Sequence, residues 1–204
     1  MSSPTQFPLR EKRKAATRRS LIKSAQALFA TQGYENTTLE AIAEHAGLHV
    51  QTLYRHFSNK LELAAAGGED FLDRFREAIT DPQRTDTTFE FWREWVRSTT
   101  TEITKNDGGR QYREFLLQLF GPPTISSQII RIAQQYQDLL TESLAKDFDE
   151  PAEALGTARL VAIMLWGANA HVLRLHATQA DYDLVAGVVE VIDSVEKHFR
   201  HLLR

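Results

Sequence analysis

The chain has 204 residues, 42% hydrophobic and 25% charged, with no cysteine and a net charge of −3. That length allows one medium domain or two small ones, and the composition is that of a soluble globular protein. The missing thiols exclude disulfides and thiolate chemistry, which suits a cytoplasmic setting.

Two further classes drop out. The first residues, MSSPTQFPLREKRK, lack the apolar core of a secretory signal. The longest apolar-rich run, Leu160 to Leu173, is too short for a membrane span, which needs about 20 residues. The charge is unevenly placed. Residues 1–60 carry nine Lys or Arg against four acids, +5, and the rest carry fifteen against twenty-three, −8. A basic module ahead of an acidic one fits a nucleic-acid-binding head, residues 1–60, carrying a body, residues 61–204, that stays off the polyanion.

In chain order, residues 1–9 read as a disordered lead. A helix is expected from Arg10 to Gln32, with Ile22, Ala25, Leu28 and Phe29 on its buried stripe. Its basic start, Arg10 to Arg19, opposes the helix dipole, which favours a phosphate-facing role over decoration. Gly33 ends it.

Thr37 reads as the N-cap of the next helix, with Glu40 completing a capping box. Leu39, Ile42, Ala43 and Ala46 give that helix one apolar face, and Gly47 supplies its left-handed end. A two-turn helix from His49 to Arg55 follows, with Leu53 and Phe57 turned inward. Ser58 or Asn59 then caps a third helix, with Glu62 three residues after Asn59. Two short helices around a glycine turn make either an ordinary helical corner or a helix-turn-helix, whose second helix enters a DNA major groove.

The long helix from Lys60 to about Ile79 is interrupted by Gly67 and Gly68, through tight packing or as a bend. Asp81-Pro82 stops it. Phe89, Trp92, Val96 and Ile103 mark a further helix, and Asn106 to Gly109 a turn. Tyr112 to Phe120 is a short amphipathic helix ended by Gly121-Pro122-Pro123. Ile125 to Phe148 keeps helical period for about six turns. Pro151 opens the next helix, which is apolar almost all round to Leu173 and runs to about His176. The last helix spans Asp181 to Leu203. No stretch alternates as a strand does, so the fold is all-α with about nine helices.

The string AGLHVQTLYRHFSNK resembles the DNA-binding signature of the tetracycline-repressor (TetR) family. Its Ala46-Gly47, Thr52-Leu53-Tyr54, His56-Phe57 and Lys60 stand in the family's order. The resemblance extends upstream through Leu28-Phe29, Gly33-Tyr34, Thr37-Thr38 and Ile42-Ala43, about the first third of the chain. It implies that Thr38, Tyr54, His56 and Lys60 contact phosphates. His49 stands where the family often has Ser, and Val50 and Gln51 where it often has a small or basic pair; these departures bear on which operator is read. Gln51 can pair bidentately with adenine, and Val50 or the Thr52 methyl can touch a thymine methyl. Arg55 can serve base or phosphate.

One such helix buries too little surface for tight specific binding, so a homodimer reading two half-sites is expected. The resemblance implies that the last two helices pair with their copies. Small residues between Gly156 and Ala170 permit that approach, and Leu184 to Leu202 supply apolar area. The body's aromatics are core, or wall a pocket for a small lipophilic or aromatic effector. Trp92, Trp95, Phe115, Leu119, Tyr136 and Trp166 are its candidate walls, and Asn169 and His171 its polar contacts.

These features imply a repressor released from a palindromic operator by that effector, with no cofactor and no metal. The alternatives are a ligand-independent activator or architectural DNA-binding protein and, further off, a helical-bundle enzyme. The chain lacks HExxH, a phosphate loop and the Glu-x-x-His pairs of a di-iron bundle. His198 and His201 have helical spacing but sit at a basic, solvated end.

Overall fold

The computed structural model describes residues 6–105, 108–120, 127–153 and 156–204. Among these are nine α-helices and no strand: α1 (Gln6–Gln32), α2 (Leu39–His45), α3 (Val50–Tyr54), α4 (Lys60–Ile79), α5 (Thr88–Thr104), α6 (Gly108–Phe120), α7 (Ser127–Phe148), α8 (Thr157–Thr178) and α9 (Leu184–Phe199). A 3-10 turn, Arg200–Leu202, follows.

The chain divides into two compact units, Met1–Gly68 and Glu69–Arg204. The division falls at Gly68 rather than at Lys60, because Leu63 and Ala66 of α4 pack into the core of the first unit. That core joins Leu21, Ile22, Ala25 and Leu28 of α1 to Ile42 and Ala43 of α2, Leu53 of α3 and Phe57. α1 begins at Gln6 and takes in Pro8, which the lead was expected to exclude. A proline in a first turn removes only an N–H that has no partner there.

The cap of α2 also differs from expectation. Thr38, not Thr37, is the N-cap, accepting from the Ala41 amide at 3.1 Å. Thr37 is buried, and its hydroxyl donates to the Gly33 carbonyl at 2.7 Å. Gly33 and Gly47 have φ of +83° and +68°, where a Cβ would be strained. After Gly47 the Leu48 amide returns to the Ala43 carbonyl at 2.8 Å, closing α2 with a Schellman turn. Asn59 caps α4 through the Glu62 amide at 2.8 Å, and the Glu62 carboxylate takes the Ser58 amide at 2.7 Å.

α4 runs unbroken through Gly67 and Gly68. Gly67 is buried against Gln26 of α1, where a Cβ would lie 2.9 Å from the amide nitrogen. In the second unit, a capping box of Thr87 and Glu90 starts α5. Those Thr87 bonds hold the Glu90 carboxyl below its usual range. α8 packs against α7, α6 and α9, and α9 against α5. Pro151 does not open α8. The helix starts at Thr157, where Glu150 reaches forward to the Ala158 amide at 2.6 Å. The turn readings at Asn106-Asp107 and Gly121 to Pro123 lie outside the described residues; Gly108 and Gly109 open α6.

Asp183 caps α9 through the Ala186 amide at 3.0 Å. Behind it, Tyr182 lies where a Cβ on Gly187 would overlap its hydroxyl, so the tyrosine ring packs directly on the glycine. Arg93 of α5 pairs with Asp193 at 2.7 Å and with the buried Glu196, which Arg200 also meets at 3.0 Å.

Candidate nucleic-acid interface and ligand site

The head presents α3 by its inner anchors. Leu53 and Phe57 are 0% and 1% exposed, which turns Gln51, Tyr54 and Arg55 outward. His49 is the N-cap of α3, exposed and without a side-chain capping bond. Thr52 is half-buried. Val50 is too, and packs against the head core, so only part of its surface is open to a base. Thr38 is exposed at the start of α2.

Cationic groups flank this face. The Arg18 guanidinium lies 4.5 Å from the centre of the Phe57 ring. His56 is partly covered; burial, with Lys14 and Arg18 nearby, holds its imidazole below the usual pKa. The structure places Lys60 differently from a loose phosphate contact. Its ammonium donates to the carbonyls of Tyr34, Thr37 and Glu35 at 2.7, 3.1 and 3.3 Å. It also lies 4.3 Å from the centre of the Tyr34 ring.

In the body, four of the candidate wall residues meet. Tyr136 stacks on Trp166 with centroids 4.7 Å apart, and Trp92 lies 6.4 Å from Trp166. At their centre is Phe75 of α4, whose ring is 5.6 Å from Trp92, 5.3 Å from Trp95 and 4.7 Å from Tyr136. Phe75 is not among the candidate wall residues named from the sequence, because the sequence gives its helix but not its neighbours on α5 and α7. Phe115 is half-buried on α6 beside Tyr112, 6.1 Å ring to ring. The Leu119 side chain lies outside those described.

Polar atoms are buried in the same unit. Trp92 Nε1, Asn169 Oδ1 and Arg113 Nε have no hydrogen-bond partner among the described residues. Burial pushes the Tyr112 phenol up to about 12, and Tyr136 higher still. His171 is exposed. Two residues along a helix from Asn169, it points away from that side chain and does not join the cluster.

A family model described as bacterial regulatory proteins, tetR family, matches residues 21–66. HTH-type transcriptional regulator TcmR of Streptomyces glaucescens is 46% identical over 63 residues, 31% of this chain.

Residues 21–66 are therefore a TetR-type DNA-binding region.

The match to TcmR spans 28% of that protein's length, so it concerns the TetR-type head alone. A longer match is to IcaR of Staphylococcus epidermidis, a biofilm operon icaADBC HTH-type negative transcriptional regulator. It is 25% identical over 150 residues, 71% of this chain and 76% of IcaR. These TetR-like relatives are transcriptional regulators. SmeT, the repressor of the Stenotrophomonas maltophilia multidrug efflux pump SmeDEF, shares the fold, with a TM-score of 0.62 at 24% identity over 89% of each chain. SmeT is also solved in complex with triclosan. All nine candidate DNA-binding residues, Thr38 to Lys60, fall within the TetR model match. Among the described residues no helix is long and apolar enough to cross a membrane.

Proposed function

We propose that this chain is a repressor that binds a palindromic operator as a homodimer and leaves it when a small lipophilic or aromatic effector enters the body. The observation that carries the reading is the outward face of α3, where Gln51, Tyr54 and Arg55 are exposed over a fully packed Leu53 and Phe57. Such a face is the part of a helix-turn-helix that reaches base edges. The effector is assigned to the aromatic cluster of Trp92, Trp95, Tyr136 and Trp166, with Phe115 and Asn169 beside it. An apolar site with few polar groups is the usual form of a small-molecule pocket. Release follows from the effector's preference for the state whose two heads are wrongly spaced. Such a regulator works in the cytoplasm, beside the DNA.

The test is selection of genomic fragments by the protein, then titration of the enriched site by fluorescence anisotropy. One palindrome should emerge, with affinity falling as salt rises. Gln51→Ala should leave the fold intact and lose about 1–3 kcal/mol of discrimination at one base pair per half-site. Equal affinity for all sequences would replace this reading with an architectural one.

Dimerisation through α8 and α9 rests on a second feature. Leu160, Ile163 and Met164 are 53%, 44% and 45% exposed on α8. With Gly167, where a Cβ would meet nothing within 4 Å, they form one stripe at helical spacing. Large apolar side chains left in water on one face mark an interaction surface. Met164→Glu should give a folded chain that sediments as a monomer and binds the operator at least tenfold more weakly, since one half-site is lost. A dimer that survives this charge excludes α8 from the interface.

A further inference from the structure

We infer that Lys60 is a positioning residue for DNA binding, holding the α1–α2 turn so that Thr38 is presented, and makes no phosphate contact itself. The inference rests on the DNA-binding reading above. An ammonium has three protons and no acceptor. In Lys60 each proton has a backbone carbonyl: Tyr34 at 2.7 Å, Thr37 at 3.1 Å and Glu35 at 3.3 Å. The Tyr34 ring covers the same nitrogen at 4.3 Å, and Tyr34 is itself buried. A phosphate at Nζ would have to displace one of these carbonyls.

Electrostatics explains why the side chain goes there. Lys60 is the first residue of α4, where a cation opposes the helix dipole. α1 ends at Gln32 with no basic residue in its last turn, and a cation beside a helix C-terminus is favourable. The lysine therefore carries its charge from the start of one helix to the end of another. The turn it meets also has local bonds, the Thr37 hydroxyl on the Gly33 carbonyl at 2.7 Å, the Thr37 amide on the Tyr34 carbonyl at 3.4 Å and the Asn36 side-chain amide on the Gln32 carbonyl at 3.1 Å. Because Lys60 bonds the Thr37 carbonyl, it fixes the peptide that leads into Thr38, whose hydroxyl caps α2 and stands exposed.

The test uses the full-length protein and the enriched operator, titrated over a salt series, with circular dichroism to establish that each variant is folded. Lys60→Met should weaken binding roughly tenfold while the slope of log K against log salt stays at the wild-type value. A lost phosphate contact would lower that slope by about 0.9. Lys60→Arg should weaken binding similarly, because a planar guanidinium does not fit a cup made for a compact ammonium. It also supplies the measurement should the Met variant fail to fold. Combined with Thr38→Ala, either substitution should cost no more than about twofold beyond the larger single effect, because both act through one hydroxyl.

A slope that falls by about 0.9, an Arg variant with wild-type affinity, or additive losses would each overturn the inference. So would a variant that melts lower yet binds normally, which leaves Lys60 a structural role only. Wild-type protein that binds no DNA would instead sink the function on which the inference rests.

Discussion

Phe57→Ala is expected to unfold the head and to remove binding to every DNA sequence alike. The ring is 1% exposed, sits in the core with Leu21, Ile42 and Leu53, and carries the Arg18 guanidinium on one face. Truncating a buried phenylalanine costs about 3–5 kcal/mol, counting the cavity it leaves. The lost cation–π contact adds about 0.5–1 kcal/mol. A unit the size of Met1–Gly68 has stability near the low end of about 5–15 kcal/mol. The two numbers meet, so a thermal melt of the variant should lack the head's transition at 25 °C. Anisotropy should show no binding at any salt. Gln51→Ala is the control, since it removes one reading contact and leaves the melt unchanged. If Phe57→Ala melts like the parent and still discriminates its operator, the assignment of α3's inner face is wrong.

Phe75→Ala should produce the largest effect in the body. Phe75 is 0% exposed and touches four rings, those of Phe91, Trp92, Trp95 and Tyr136. The expected loss is again about 3–5 kcal/mol, with aromatic pair terms of about 0.5–1.5 kcal/mol included in the upper part of that range. The void would be lined by aromatic faces. An apolar cavity of this kind stays dry and accepts small aromatic molecules. Saturating benzene should therefore raise the melting temperature of Phe75→Ala and leave the parent nearly unmoved, by ordinary linkage. Calorimetry with and without benzene reads both. A variant destabilised by under about 1 kcal/mol would mean that the ring cluster is loosely packed and Phe75 is not its centre.

The helical architecture was legible in the sequence because it rests on long apolar periods and strong caps. Asn59, one of the two caps offered for the helix after α3, does cap it, whereas the caps Thr87 and Asp183 emerged only with the structure. The misreadings share a cause, which is that distant partners outweighed local rules. Thr37 has the right type and spacing for a cap, but its hydroxyl is taken by the Gly33 carbonyl, leaving the role to Thr38. Pro151 is a good first-turn residue, yet the α8 amide at Ala158 is met by Glu150. The surroundings of Lys60 were beyond the sequence for the same reason, since only the fold brings three carbonyls to its ammonium.

The aromatic cluster proposed to take the effector was legible as a surplus of aromatics and not as an arrangement. Periodicity placed Trp92, Tyr136 and Trp166 on buried faces, and Phe75 on the apolar run of its own helix, but did not bring the four together. The reading of His171 together with Asn169 ignored helix geometry, since residues two apart lie on nearly opposite sides.

Gly167 and Gly187 have opposite latitude. At Gly187 the Tyr182 hydroxyl already fills the space of a methyl group, so a larger residue there must first displace that ring. At Gly167 the space is open, and under the proposed pairing through α8 it is the approach of a second copy that favours a small residue there. If the proposed pairing holds, the first glycine answers to a neighbour in its own chain and the second to another copy, so a lineage that gave up pairing would lose the second before the first.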